Sequence, residues 1–226
     1  IETIVKNEYT TLKDNMHCLI LTDYIKSNTI SLINSNTEID CFGTIPIFEH
    51  LRRCNIDAIS LCCLTGTICI IPKNCCIYLS DELEYKEINN SDYVSLKINN
   101  TNKKKIVLLL TEFFEKNLFN VLIGTKALLG EGWDSPIINT LIIASFINSY
   151  VSSNQIRGRA IRTDKNDPNK VANIWHLVCL NPYDFNYSTD YYALKKRFQT
   201  FVGIDTNNSL IENGLERLNI VNIPKN

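Results

Sequence analysis

Short apolar runs recur along the chain, separated by segments that carry polar and charged residues on one side. The apolar runs of strand length lie at residues 17–23, 58–66, 67–72, 120–124, 139–145 and 173–180. Each is continuously apolar rather than alternating, which is typical of parallel strands covered on both faces. Helices are predicted between them at 23–33, 45–54, 105–117 and 152–162. This alternation predicts an α/β fold, with a doubly wound, mainly parallel sheet and helices on both faces.

Two regions depart from this alternation. Residues 73–105 are polar, rich in asparagine and without a clear period, which predicts an excursion over the surface. After Pro182 the pattern is helical only, with helices predicted at 189–203 and 208–219. We therefore divide the chain into a main domain at residues 1–187 and a helical C-terminal extension at residues 188–226.

Composition narrows the classes of function only a little. The 226 residues include 23 basic and 24 acidic ones, so a nucleic-acid site would depend on local basic clusters such as those at 103–105 and 195–197. No apolar run is long enough to span a bilayer and no signal-peptide pattern opens the chain, so we expect a cytoplasmic protein without a membrane partner. Because the chain starts at Ile1 and its single methionine is Met16, we also expect it to be a piece of a longer protein.

The nine cysteines favour buried thiols of a reduced protein. Most of them lie inside apolar runs, and none forms the C-x-x-C pair from which metal and redox sites are commonly built. The adjacent pairs Cys62-Cys63 and Cys75-Cys76 are predicted to point to opposite faces of strands. His176 is interpreted as a half-buried strand residue, and the sequence predicts no metal ligand.

The first candidate for chemistry is the stretch VLIGTKALLGEGWDSP, residues 121–136, which has three glycines within nine residues after an apolar strand. Such a loop brings backbone close to a phosphate or to another chain, or adopts positive φ. In a parallel sheet it would lie at the carboxyl edge, where ligands bind. No glycine of the chain is followed by lysine, so there is no Walker A loop for nucleotide. Asp81-Glu82 resembles a magnesium-binding pair, but without a phosphate loop a solvated acidic turn is favoured.

The second candidate is NQIRGRAIR, residues 154–162. On a helix, Arg159 and Arg162 share one face, and Gln155 lies one turn before Arg159. Guanidinium groups form bidentate bonds to phosphate, although an ordinary solvated basic helix explains this segment equally well. The glycine-rich loop and the arginines bracket a single apolar strand, so a doubly wound sheet can bring both to one edge.

Together these residues resemble the second RecA-like lobe of superfamily 2 helicases. IGTKALLGEGWDSP is similar to motif V, QIRGRAIR is similar to motif VI, and HCLILTDYI occupies the place of motif IV. The resemblance covers about residues 10–185. More narrowly, the chain resembles a bacterial group of DEAD/DEAH-type helicase-related proteins. One position departs from motif VI, because Ile156 stands where the family has arginine, which leaves the role of Arg157 unassigned.

The resemblance implies a division of labour between two lobes. ATP with Mg²⁺ would be bound mainly by an N-terminal RecA-like lobe, which this chain does not contain and which is expected in the same full-length protein. The implied catalytic residues are Arg159, Arg162 and Gln155, with Arg162 as the arginine finger at the γ-phosphate. The implied nucleotide-binding residues are Gly130, Gly132 and Asp134, and the implied contacts to nucleic-acid backbone are Thr125, Lys126 and Asp23.

Two hypotheses about function remain from the sequence. In the first, the chain is the C-terminal motor lobe of an ATP-dependent helicase or translocase acting on DNA or RNA, and it does not hydrolyse ATP by itself. In the second, it is a non-catalytic module that binds nucleic acid or a protein partner and keeps a helicase-like lobe without the motor.

Overall fold

The computed structural model describes residues 1–23, 27–129, 133–147, 149–181, 183, 188–205 and 209–215. The helices are α1 (Glu2–Leu12), α2 (Thr44–Arg53), α3 (Lys103–Glu115), α4 (Lys126–Leu129), α5 (Tyr150–Ala160) and α6 (Thr189–Phe198). The strands are β1 (Cys18–Thr22), β2 (Leu61–Leu64), β3 (Ile68–Pro72), β4 (Tyr85–Glu87), β5 (Tyr93–Lys97), β6 (Val121–Thr125), β7 (Thr140–Ala144), β8 (Asn173–His176), β9 (Val202–Ile204) and β10 (Ile211–Asn213). Short 3₁₀ helices lie at Lys13–Asn15, Ser27–Leu32 and Lys73–Tyr78.

Strands β1 to β8 form one eight-stranded sheet, in the order β4-β5-β3-β2-β6-β1-β7-β8. The strands from β2 to β8 in that order, five in all, run parallel to one another. Side chains alternate between the two faces, so that Leu19 and Leu21 enter one core whereas Cys18 and Ile20 enter the other. Helices α3 and α5 cover the first face, and α1 and α2 cover the second. The predicted doubly wound, mainly parallel α/β fold is confirmed.

The prediction of a parallel strand at 67–72 is wrong. Strand β3 runs antiparallel to β2, with Leu64 opposite Cys69 and Cys63 opposite Ile70. Only three residues connect the two strands, whereas a parallel partner needs a crossover of a dozen residues or more. A continuously apolar run shows that a strand is buried on both faces, but it carries no information about direction.

The prediction that residues 73–105 only pass over the surface is also wrong. This region supplies β4 and β5, which extend the sheet beyond β3 in antiparallel pairing. Val94 and Leu96 are buried, whereas β4 is exposed along its length because it forms the sheet edge. Cys75 and Cys76 lie in a 3₁₀ helix rather than a strand, so the opposite-face prediction holds only for Cys62 and Cys63.

Helix α1 was not predicted, and a polar side chain fixes it to the sheet. Glu8 is only 5% exposed. Its carboxylate accepts hydrogen bonds from the Thr140 hydroxyl at 3.2 Å, the Asn173 amide at 2.9 Å and the Trp175 indole at 2.7 Å. Apolar residues at positions 1, 4, 5, 9 and 12 pack into the same core, so the segment also has an apolar face at helical spacing, which the prediction overlooked.

The C-terminal extension is helical only in part. Helix α6 confirms the first predicted helix, although it ends at Phe198 rather than at residue 203. The helix predicted at 208–219 is wrong for its described part, because β10 pairs antiparallel with β9 in a hairpin. The β-branched residues Val202, Ile204 and Ile211 favour this extended structure. Within the helix predicted at 23–33, residues 27–32 form a 3₁₀ helix and 24–26 lie outside the described residues.

No helix in the described part of the chain is long and apolar enough to cross a lipid bilayer.

Candidate functional site

Three parallel strands end level with one another and define the edge at which the predicted site residues lie. In the sheet register, Thr22 at the end of β1 stands beside Thr125 of β6 on one side and Ala144 of β7 on the other. Asp23, Lys126 and the segment that leads to α5 therefore leave the sheet at the same carboxyl edge. In doubly wound folds this is the edge where ligands bind.

The glycine-rich loop begins with a glycine that is needed for packing. A Cβ at Gly124 would collide with the Leu129 side chain and approach the Leu64 carbonyl to 3.3 Å. Gly124 therefore lets α4 fold back closely against the end of β6. The two other glycines of the loop, Gly130 and Gly132, were predicted to bind nucleotide and lie outside the described residues.

Beyond those glycines, the loop is anchored by Trp133. This side chain is 4% exposed and belongs to the core that α3 covers. Its indole nitrogen donates a hydrogen bond of 2.7 Å to the hydroxyl of Thr111 on α3. Lys170 holds the other end of the loop, because its ammonium donates to the carbonyl groups of Pro136 and Ile138. Asp134, which lies between these anchors, is thus presented from a fixed backbone.

The helix predicted at 152–162 ends earlier than predicted: α5 carries Arg157 and Arg159, whereas Arg162 follows two residues after its last residue. The buried positions of α5 determine which way its arginines point. The hydroxyl of Ser149 caps the helix by accepting a hydrogen bond from the Ser152 amide at 3.1 Å. Ile156 and Ala160 are buried in the core against β7 and β8. Ile156, which occupies the place of the arginine in the usual motif VI, is therefore a packing residue here.

Both predicted arginines reach the loop after the glycines. The guanidinium of Arg159 donates through Nη1 to the carbonyl oxygen of Trp133, and that of Arg162 donates through Nη1 to the carboxylate of Asp134. The Arg162 and Asp134 side chains are 54% and 46% exposed, so water and a ligand have access to this pair. Gln155 is also exposed, on the first part of the same helix. The structure thus brings Arg159, Arg162 and Asp134 together at the carboxyl edge of the sheet.

Arg157 has a different environment from Arg159 and Arg162. Its guanidinium carbon lies 3.9 Å from the centre of the Phe201 ring, in a cation–π contact. Phe201 also packs against Tyr150, with ring centres 5.4 Å apart. This position, unassigned from the sequence, therefore connects α5 to the C-terminal extension.

A second contact attaches the extension to the edge strand β8. Phe198 meets the His176 ring edge-on at a centroid distance of 5.2 Å, and the buried Arg197 donates to the Ile147 carbonyl at 2.7 Å. Burial, and to a smaller extent the guanidinium groups of Arg197 and Arg157, lower the pKa of His176 to about 4. His176 is half-buried in the strand, as predicted, and it is neutral at pH 7.

The residues predicted to contact nucleic acid also lie together. The Lys126 ammonium is 3.8 Å from the Asp23 carboxylate, and their side chains are 35% and 27% exposed. Thr125, at the end of β6, is only 4% exposed. Lys126 is therefore the member of this group whose positive charge is accessible, and Asp23 holds it at the edge of the sheet.

Two findings of the sequence analysis outside this site are confirmed. All nine cysteines are free, and those in β1, β2 and β3 are fully buried. Glu82 is exposed and pairs with Lys105 at 2.5 Å, which lowers the pKa of the carboxyl. The acidic turn at Asp81-Glu82 is thus a solvated surface feature.

No family model matches the sequence, and no curated protein matches it with significance. Among solved structures, the C-terminal part of the Fun30 ATPase domain is 14% identical and covers 96% of this chain, with a TM-score of 0.49. The Pyrococcus furiosus Hef helicase domain is 16% identical and covers 78% of this chain, with a TM-score of 0.39. The chain spans 50% of the first structure's length and 24% of the second's. At these TM-scores, neither likeness carries an argument about the site.

Proposed function

We propose that this chain is the C-terminal motor lobe of an ATP-dependent nucleic-acid helicase or translocase of superfamily 2, with a RecA-like fold. The observation that carries the proposal is the meeting of Arg159 and Arg162 with residues Trp133 and Asp134 at the carboxyl edge of the sheet. This geometry joins the two segments that resemble motifs V and VI, on a chain that has no Walker A loop.

The chemistry of this cluster suits a phosphate supplied from outside the chain. Guanidinium groups form paired, charge-assisted hydrogen bonds with phosphate oxygens. The ion pair between Arg162 and Asp134 is half exposed. Since such pairs contribute only about 0–1 kcal/mol, a γ-phosphate can replace the carboxylate at little energetic cost. An arginine placed in this way stabilises the charge that develops during phosphoryl transfer, an effect of about 10³ to 10⁵ in rate.

In this proposal the chain completes a nucleotide site rather than forming one. Arg162 is the arginine finger, Arg159 is held by the Trp133 carbonyl close to the phosphates, and Gln155 couples the helix to the other lobe. Asp134, Gly130 and Gly132 approach the nucleotide. ATP and Mg²⁺ are held mainly by an N-terminal RecA-like lobe that carries the phosphate loop.

Nucleic acid would contact the same edge one strand further along, at the end of β6. Lys126 is oriented by Asp23 and has the accessible charge of this group. A contact to a backbone phosphate is independent of base sequence and weakens with salt, which suits a protein that moves along any strand. Thr125 would contribute a backbone contact because its side chain is buried.

The proposal is tested by measuring ATP hydrolysis with and without the other lobe. This chain alone is expected to show no ATPase activity. The longer protein that includes a lobe with a Walker A loop is expected to hydrolyse ATP, at a rate that single-stranded DNA or RNA increases. Binding of nucleic acid by the longer protein without any ATP hydrolysis would contradict the motor proposal and support the alternative, a non-catalytic binding module.

A further inference from the structure

A cluster of three side chains lies on the face of the sheet opposite to α5, between α1 and α2. His50 is in the last turn of α2 and Cys54, at i+4, follows the last residue of that helix, while Glu2 reaches them from the first turn of α1. The oxygen, nitrogen and sulfur atoms of the three side chains all lie within 4.8 Å of one another. The sequence predicts no metal site because it has no C-x-x-C pair, whereas these three residues are brought together from two helices.

From this juxtaposition of Glu2, His50 and Cys54 we infer that the chain contains a binding site for Zn²⁺ between α1 and α2. Carboxylate oxygen, imidazole nitrogen and thiolate sulfur are the three ligand types that zinc uses in proteins. The combination of one soft sulfur with a nitrogen and an oxygen disfavours Mg²⁺ and Ca²⁺, which prefer oxygen ligands only.

The distances match the edges of a zinc tetrahedron. Zn–N and Zn–O lengths of about 2.0–2.1 Å and a Zn–S length of about 2.3 Å imply N···O and N···S separations of about 3.3 and 3.5 Å. In the structure, His50 Nε2 lies 3.0 Å from Glu2 Oε2 and 3.7 Å from Cys54 Sγ. These two separations differ from the expected ones by a few tenths of an ångström, and all three atoms lie within 4.8 Å of one another, so they can face one ion after a small adjustment of the side chains.

The surroundings of the cluster provide what a metal site needs beyond its ligands. The Lys6 ammonium donates to the other Glu2 oxygen, Oε1, at 2.6 Å, and so orients the carboxylate while leaving Oε2 for the ion. A pocket of about 440 Å³, lined in part by Glu2, His50 and Cys41, opens beside the cluster. It gives water access to the fourth position of the tetrahedron.

Binding of the ion includes a defined proton step. Burial, and then the hydrogen bond to Glu2, raise the pKa of the Cys54 thiol, so the metal-free thiol is protonated at pH 7. Zn²⁺ binds the thiolate, and the thiol proton is released to solvent. His50 coordinates through Nε2 as the neutral tautomer that carries its proton on Nδ1. The bound ion then links α1 to α2, independently of the proposed function at the opposite edge.

The test uses Zn²⁺ alone, titrated into the purified protein against a chromophoric chelator. We expect one ion per chain and a melting temperature that rises with the zinc concentration. His50→Gln and Cys54→Ser should each lower the affinity by at least about tenfold, since even loss of an outer hydrogen-bond partner has effects of about 10–100-fold. Cys179→Ser removes an exposed thiol elsewhere and should leave the affinity unchanged.

Co²⁺ provides a signature that an adventitious surface site would not reproduce. We expect a thiolate-to-cobalt charge-transfer band in the unmodified protein and in Cys179→Ser, and its loss in Cys54→Ser. Protection of Cys54 from alkylation by Zn²⁺, measured by peptide mass spectrometry, gives the same answer on the unmodified chain if a variant fails to fold. Absence of stoichiometric binding, or an unchanged band in Cys54→Ser, would overturn the inference.

Discussion

Gly158 lies in the last turn of α5, after Arg157, which faces the C-terminal extension, and before Arg159 and Arg162, which face the loop. A Cβ at this position would meet no atom within 4 Å. Neither close packing nor a special backbone conformation in this chain therefore requires glycine, and the open space is consistent with the approach of a nucleotide or a second lobe.

A substitution at Gly158 is expected to change stability and activity in opposite directions. Gly158→Ala should stabilise the chain by about 0.5–1 kcal/mol, because glycine is the weaker helix former. The corresponding rise in melting temperature is about 1–4 °C for a domain of this size. The same substitution should lower the ATPase rate of the two-lobed protein, because the added methyl group occupies the open space. A lower melting temperature would show that the space at Gly158 is needed by the fold itself.

His176 makes stability depend on pH. Its pKa is lowered in the folded chain from 6.5 to about 4, mainly by burial. A lowered histidine pKa means that the unfolded chain binds the proton more tightly, so stability is full above about pH 6.5 and falls as the pH decreases towards 4. The loss should be up to about 1.4 kcal/mol per pH unit within this range.

His176→Phe keeps an aromatic contact to Phe198 without a titrating group. Its melting temperature should fall less between pH 7 and pH 5 than that of the unmodified chain. His17, whose pKa burial also lowers, is present in both proteins, so the difference between them reports on His176. Equal pH dependence of the two proteins would contradict the assignment.

For single residues, the chemistry of a side chain could be predicted from the sequence more successfully than the residues that it contacts. Arg159 and Arg162 could be identified from residue type and from their place in the sequence, although the predicted helical spacing does not hold, because α5 ends at Ala160. The partner of Arg157 could not, since Phe201 is distant in the chain and its position depends on how the extension folds back. Trp133 stood inside a recognised motif, but its hydrogen bond to Thr111 depends on the packing of α3 against the loop.

At the scale of elements, the C-terminal extension is attached to α5 by the contact between Arg157 and Phe201. A buried cation–π contact contributes about 0.5–2 kcal/mol. Arg157→Ala should therefore increase hydrogen–deuterium exchange in α6 and the β9–β10 hairpin, while exchange in β1 and β6 stays unchanged. Lys196→Ala, which removes an exposed charge from α6, is the matched control. Unchanged exchange in α6 after Arg157→Ala would show that other contacts hold the extension.

The buried carboxylate of Glu8 forms the hydrogen bonds that hold helix α1 against the sheet. Glu8→Ala leaves the three donors of Thr140, Asn173 and Trp175 without their acceptor, and should destabilise the chain by about 2–3 kcal/mol in urea denaturation. Glu8→Gln retains one acceptor oxygen and should lose less. Glu115→Ala, at an exposed position of α3, should change stability by less than about 0.5 kcal/mol. If Glu8→Ala destabilised the chain by as little as Glu115→Ala does, the proposed role of Glu8 would be contradicted.

The elements that could be predicted are those whose burial is apolar. Strands β1, β2, β6 and β7 and helices α2 and α3 follow apolar patterns that match their burial, whereas the edge strand β8 is partly exposed and α5 has little apolar periodicity. Helix α1 was overlooked although it has an apolar face, and β4 and β5 were missed because strands near an exposed edge have few buried side chains. The direction of β3 and the formation of the C-terminal hairpin depend on which strands pair, and the pattern of apolar residues does not show this.

At the scale of the whole molecule, the sheet separates two regions with different chemistry. The carboxyl edge carries the exposed charges of Arg162, Asp134 and Lys126, whereas the crossing of α1 and α2 carries the proposed zinc ligands. The central claim concerns the first region, where the loop after β6 and helix α5 together present guanidinium groups to a phosphate held by another lobe.

The most direct test of this claim is the nucleic-acid-stimulated ATPase rate of the two-lobed protein with Arg162→Ala, compared with Arg162→Lys and with Lys86→Ala on the exposed edge strand as a charge control. The account predicts a loss of kcat of about 10³-fold or more for Arg162→Ala, a loss for Arg162→Lys as well because lysine lacks the paired donors, and no loss for the control. Turnover of Arg162→Ala at the rate of the unmodified protein would contradict the claim.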